Sequence, residues 1–127
     1  MAVAVVGTNV ALASSTGPSV TVTVKNGTKT LIQRTVHGET GWVTKGGTPK
    51  GKCSGNSAAG ALDVATHGKW TATYYASVPG IFVDSINGVK PKGNDYWGIS
   101  VNGKSSSLGV CAVKLRAGEK LLFKVVK

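Results

Sequence analysis

Negative charge is what this chain has least of. Only five carboxylates stand against fifteen lysines and arginines, for a formal net charge of +10 over 127 residues. Cysteine and histidine are as scarce: Cys53, Cys111, His37 and His67 are all there is. No C-x-x-C occurs and the cysteine spacing matches no zinc pattern, so no metal site is expected; a four-ligand site would have to recruit the few carboxylates. Gly-x-Ser-x-Gly, His-Glu-x-x-His and a P-loop are all missing. His67 and Asp63 stand four residues apart and read as a local helix-end salt bridge. No catalytic residues are assigned and no cofactor is expected. The chain does not read as an enzyme. The basic residues form no long run, and there is no aromatic-basic RNA signature or helix-turn-helix pattern, so nucleic acid is not an expected partner. Aromatics make up 6% of the residues while glycine contributes 18, a composition that suits a turn-rich β or α+β domain and not a helical bundle.

What is present is alternation and turn chemistry. Residues 19–24, SVTVTV, put Val20, Val22 and Val24 on one side and Thr21 and Thr23 on the other, a half-buried strand. Asn26-Gly27 follows and β-prone residues resume at Lys29, which together predict a hairpin. Residues 58–66 carry Ala58, Ala61, Leu62 and Ala65 at helical spacing. Asn56 or Ser57 is placed to cap the start and Gly68 to end it. That small-residue stripe should lie close against a sheet. Strands are expected over 70–76 and 81–86, with a break at Pro79-Gly80 and a turn at Asn87-Gly88. The last third alternates from Tyr96 to Val101, turns at Asn102-Gly103, passes Cys111 and ends in a central strand near 121–125. Asn-Gly between apolar runs favours a type I′ turn, which needs positive φ at both positions. The order hairpin, helix, strands predicts an α+β fold: a β-grasp-like mixed sheet crossed by one helix.

One domain is expected over 19–127. Residues 1–18 form an apolar segment plus linker. Ala11-Leu12-Ala13 resembles a cleavage motif, but no basic residue precedes the apolar run. The segment therefore reads either as signal-peptide-like or as a strand donated to a neighbour. The second reading would make the chain a filament or surface-layer subunit that self-associates through residues 1–13. In an exported chain, Cys53 and Cys111 would pair.

Two sets of residues are candidates for binding. Lys45, Lys50 and Lys52 lie in a Gly-rich loop whose amides and ammonium groups could hold anions, such as an anionic cell-surface polymer. The same composition suits a structural loop pinned by a disulfide. Trp70, Tyr74, Tyr75 and Tyr96 could offer flat rings to a glycan. Trp97, Ile99 and Val101 share the opposite strand face from Tyr96 and read as core.

Three stretches carry a family resemblance: residues 44–53 (TKGGTPKGKC), residues 57–66 (SAAGALDVAT), and the Tyr96-Trp97, Val101-Asn102-Gly103, Gly109-Val110-Cys111, Leu115 and Gly118-Glu119 series. Together they resemble the transcobalamin-like C-terminal domain of bacterial exported and surface proteins, in a branch similar to the actinobacterial one with paired cysteines. The resemblance implies a β-grasp-type domain at an extracellular or cell-surface location. In the vitamin B12 carriers a related domain closes over cobalamin together with a large helical domain. This chain has no room for the latter, so cobalamin binding by it alone is not expected. The resulting expectation is a non-enzymatic ligand-binding or display module.

Overall fold

The computed structural model describes residues 17–77 and 80–127. The apolar stretch read as a signal or donated strand lies outside the described residues, apart from the linker end, as does Pro79 of the expected break.

Strand β1 (Ser19–Asn26) alternates half-buried and buried positions as its sequence requires. It pairs antiparallel with β2 (Lys29–His37). The helix α1 (Ala58–Thr66) follows. Next come β3 (Trp70–Tyr75) and β4 (Gly80–Ile86), which form their own two-stranded antiparallel ribbon. Strand β5 (Tyr96–Val101) turns into the two-residue β6 (Lys104–Ser105), and β7 (Lys120–Val126) closes the chain. The main sheet has five strands in the order β2-β1-β7-β5-β6. Its central pair, β1 and β7, is parallel, and the other pairings are antiparallel. Two flanking hairpins around a parallel middle, with a helix packed on β1 and β2, is the β-grasp arrangement.

Val20, Val22, Val24, Leu121, Phe123, Trp97 and Ile99 turn one sheet face inward, onto Ala58, Ala61, Leu62 and Ala65 of α1. Trp70, Ile81, Val83 and Ile86 bring the ribbon into the same core, so Trp70 is buried and is not one of the exposed rings the sequence suggested. The other sheet face keeps Thr21, Thr23, Lys25, Lys120 and Lys124, as strand alternation demands.

The helix occupies the expected residues, but its start is built differently. Ser57 sits at the N-cap position without capping; its hydroxyl donates to the Ser54 carbonyl at 2.6 Å. The first helical amides are satisfied from elsewhere. Ala58 N donates to Val113 O at 2.9 Å and Ala59 N to Val110 O at 3.1 Å. The disulfide Cys53–Cys111, with Cα atoms 4.9 Å apart, ties these segments together. Closure over that end buries Ala59 and Gly60 as well as the predicted stripe. A Cβ on Gly60 would run into the Gly55 carbonyl, so only glycine fits there.

The three Asn-Gly pairs divide. Asn87-Gly88 and Asn102-Gly103 have positive φ at both residues, 51° and 83°, and 51° and 86°, as a type I′ turn requires. At the first hairpin Asn26 pairs with Lys29, so the loop is Gly27-Thr28, with positive φ at Gly27 alone among the two.

Candidate functional site

The Gly-rich loop that carries Lys45, Lys50 and Lys52 folds back on the protein. Residues Lys45–Gly47 make a 3-10 turn, with Gly46 at φ 64° so close to β3 that a Cβ would strike the Ala72 carbonyl. Lys45 points inward. Its ammonium donates to Gly68 O at 2.7 Å and Trp70 O at 2.6 Å, and lies 5.3 Å from the centre of the Trp70 ring. Lys50 and Lys52 remain exposed, and the next residue, Cys53, is buried in its disulfide. The three lysines are thus not one converging set.

Behind this loop, Asp63 accepts a hydrogen bond from Trp70 Nε1 at 2.7 Å. Burial pushes the Glu39 carboxyl up to about 7, assisted by its hydrogen bond to Asp63 and by the Asp63 charge. His67 does not take the expected position beside Asp63. It ends the helix with φ 54°, and its Nε2 lies 2.6 Å from Arg34 Nη1. Arginine can only donate, so this ring nitrogen accepts. The charge on Arg34 and the exposed helix end decide the ring's partner, not sequence spacing.

The three tyrosines separate too. Tyr74 is half-buried beside Ile81, on the core side of the ribbon. Tyr75 points out opposite Gly80 and is 50% exposed. Only Tyr96, 43% exposed, borders a depression with other rings. This cleft, of about 280 Å³, runs between β4 and β5. Its floor includes Ile81, Val83, Trp97 and Ile99; Phe82, Tyr96 and Leu108 form its rim. Phe82 and Leu108 are 48% and 55% exposed, and neither stood out in the sequence reading. Phe82 had a signal: flanked by inward Ile81 and Val83, it must face outward, where a phenyl ring is misplaced in a structural role. Leu108 sits in a Ser-rich loop and offered none. Trp97, as expected, is core, and its indole donates to Val89 O at 3.2 Å.

The cleft is open along the backbone as well. β6 pairs with β5 only at Ser100 and Val101, and Ile99 O accepts from Ser106 N at 2.9 Å, so the Tyr96–Gly98 half of β5 has no strand on that side. Ser106 is committed locally, its hydroxyl bonding Leu108 N and O, whereas Ser107 is exposed. No lining residue of the cleft carries a charge. Among the described residues no three of His, Cys, Asp or Glu come together as a metal-binding group, and no helix is long and apolar enough to cross a membrane.

Known structures share this architecture. Haptocorrin, solved in complex with Cbi, superposes with a TM-score of 0.64 at 19% identity; 87% of this chain is covered, but the chain spans only 25% of haptocorrin. A candidate metal-binding protein from Ruminococcus gnavus ATCC 29149 superposes with a TM-score of 0.60 at 12% identity, covering 87% of this chain and 98% of that one. These likenesses give a transcobalamin-like fold. No curated protein matches the chain in sequence. The family described as "Domain of unknown function (DUF4430)" matches residues 55–127, which takes in the helix, the ribbon, the cleft and the closing strands, and the chain belongs to that family.

Proposed function

We propose that the protein is a non-enzymatic, extracellular ligand-binding module, and that its ligand enters the cleft between β4 and β5. One observation carries this. Five large hydrophobic residues are exposed among the described residues, and three of them, Phe82, Tyr96 and Leu108, border this single cleft. In a chain of net charge +10, the same walls hold no charged group. Leaving such side chains in water stabilises nothing in the free protein, so a partner that covers them gains the burial. The ligand class that fits is a neutral glycan: sugar C–H faces stack on Tyr96 and Phe82, and sugar hydroxyls reach Ser107 and the open edge of β5.

The disulfide supports an oxidising compartment. The fold shared with haptocorrin supports a binding role, although only a quarter of that protein is represented here. Trp97 on the cleft floor supplies the assay, since a ligand above it changes its fluorescence. Cellohexaose, chitohexaose and Cbi would be titrated into wild type, Phe82→Ser and Tyr96→Ala. Saturable quenching that both substitutions abolish is the expected result for at least one of the oligosaccharides. Binding that survives both substitutions would move the site elsewhere, and saturation by Cbi alone would replace the glycan with a corrin.

A further inference from the structure

We propose a second binding site, for a phosphate-bearing polymer, at the end of the main sheet beside the Gly27-Thr28 turn. There a pocket of about 170 Å³ is lined by Lys90, Lys92 and Lys127, with Asn26, Asp95 and Val125 among its other walls. Asp95 is the only acidic side chain in it, and it is paired with Lys127 at 3.6 Å. On the opposite face of the same sheet end, Lys25 and Lys124 are register partners on the parallel strands β1 and β7. Both belong to the polar side of the alternation, so two ammonium stems leave neighbouring strands about 4.8 Å apart and side by side. Like charges in register are destabilising in a sheet.

Among the described residues no acidic side chain is paired with Lys25 or Lys124. Glu39 and Asp63 are bonded to each other. Asp84 accepts from Thr73 Oγ1 at 2.6 Å and Glu119 from Arg116 N at 3.0 Å. Asp95 holds Lys127. Four of the five acidic side chains are therefore engaged elsewhere, and Asp95, the one inside the pocket, is paired with Lys127 and not with Lys90 or Lys92. Because Lys25 precedes Asn26 and Lys124 precedes Val125, the lysine pair and the pocket meet across the sheet end. A linear polyanion can lie over Lys25 and Lys124 and place one group among Lys90, Lys92 and Lys127. Lysine is a point-charge donor suited to phosphate. No aromatic side chain lines the pocket, so it lacks the stacking platform on which single-stranded nucleic acids rely. A plain phosphate polymer is the better fit. The cleft between β4 and β5 is a separate surface, and neither site requires the other.

The test uses the whole chain and long-chain inorganic polyphosphate as probe, with neutral dextran and a charge-matched oligothymidylate as comparators. Polyphosphate should bind and dextran should not. Affinity should fall by roughly a hundredfold between 50 and 200 mM salt if about five lysine contacts form. The triple variant Lys90→Gln, Lys92→Gln, Lys124→Gln should bind about tenfold or more weakly. Lys50→Gln, Lys52→Gln, Lys114→Gln removes the same charge from exposed positions elsewhere and should change affinity far less. Equal losses in the two triples would reduce the effect to net charge and overturn the site. Tighter binding of the oligothymidylate than of polyphosphate would overturn the ligand class. Thermal unfolding of both variants separates lost contacts from lost folding.

Discussion

The Gly-rich loop around Lys45 and the cleft around Tyr96 look alike in sequence, each a candidate site with the chemistry for it, yet the structure uses them in opposite ways. In the loop, a charged residue turns inward: Lys45 holds two backbone carbonyls and faces the Trp70 ring. In the cleft, apolar residues turn outward, with Phe82 and Leu108 about half exposed. A lysine with fixed internal partners explains itself as structure. A phenyl ring in water does not, and it is the surface that the proposed ligand would cover.

Removing the disulfide should give the largest effect on the structural side. Cys53–Cys111 closes a loop with a sequence separation of 58 residues. In the chain-entropy model a loop of that size contributes about 4 kcal/mol. It also holds the Val110 and Val113 carbonyls over the first amides of α1. Cys53→Ser with Cys111→Ser should therefore lower the urea midpoint sharply, and α1 amides should lose hydrogen-exchange protection before those of β1 and β7. A loss below about 1 kcal/mol would show that the loop is held without the bridge.

Lys45→Met comes next. It keeps the stem but removes the charged donor from the Trp70 carbonyl, while Gly68 O keeps its bond from Trp70 N, and the expected cost is about 2 kcal/mol. Lys50→Gln and Lys52→Gln should each stay within about 0.5 kcal/mol, as exposed substitutions do. Comparing the three in chemical denaturation breaks the contrast if Lys45 proves as dispensable as its neighbours.

Much of the scaffold was legible because local chemistry and tertiary packing agree there. Alternating valines gave β1, the Ala-Leu stripe gave α1 residue for residue, and Asn87-Gly88 and Asn102-Gly103 adopt the positive φ values their turn type needs. The first hairpin slipped by one residue because a glycine alone meets the needs of its loop, so Asn26 is free to pair with Lys29. The sites were less legible because they depend on contacts distant in sequence. The helix cap comes from residues 110 and 113, Lys45 finds carbonyls more than twenty positions away, and His67 finds Arg34 on β2. Spacing cannot report such partners. The face of Phe82 was readable from alternation, but that β4 lies beside β5 was not.

The acid pair beneath the loop gives a smaller, pH-dependent effect. Glu39 is raised from an ordinary 4.5 to about 7 in the folded chain, burial being the first cause and Asp63 the second. The folded state thus binds that proton more tightly than the unfolded state. Its contribution is fully present below pH 4.5 and is lost as pH rises through 4.5 towards about 7. Because Glu39 is partly solvated, the expected loss is about 1 kcal/mol. Denaturation midpoints measured across that window should fall for wild type and flatten for Glu39→Gln. A wild-type midpoint that rises across the window would mean that the carboxyl is ionised and favourably paired in the fold.

The smallest effect on stability is expected at the cleft, and its smallness is what makes the test informative. Phe82→Ser and Leu108→Ser replace side chains that remain half exposed in the folded protein. Such positions return little burial energy, so unfolding should shift by no more than about 0.5 kcal/mol. Gly98 refines the point from the other direction. A methyl there would lie 2.6 Å from Val126 Cγ2, the end of a movable side chain, so Gly98→Ala should be tolerated with a modest loss. The methyl would also come within 3.8 Å of Tyr96 Cε2, so it should disturb the ring at the cleft rim. If these residues serve the fold, all three substitutions lower stability and any binding changes follow in proportion. If they serve a ligand, oligosaccharide quenching of Trp97 disappears in Phe82→Ser and Leu108→Ser and weakens in Gly98→Ala, while the unfolding curves nearly superimpose. A destabilisation of about 2 kcal/mol at Phe82, the size that core truncations reach, would make the ring part of the core after all and erase the contrast with Lys45.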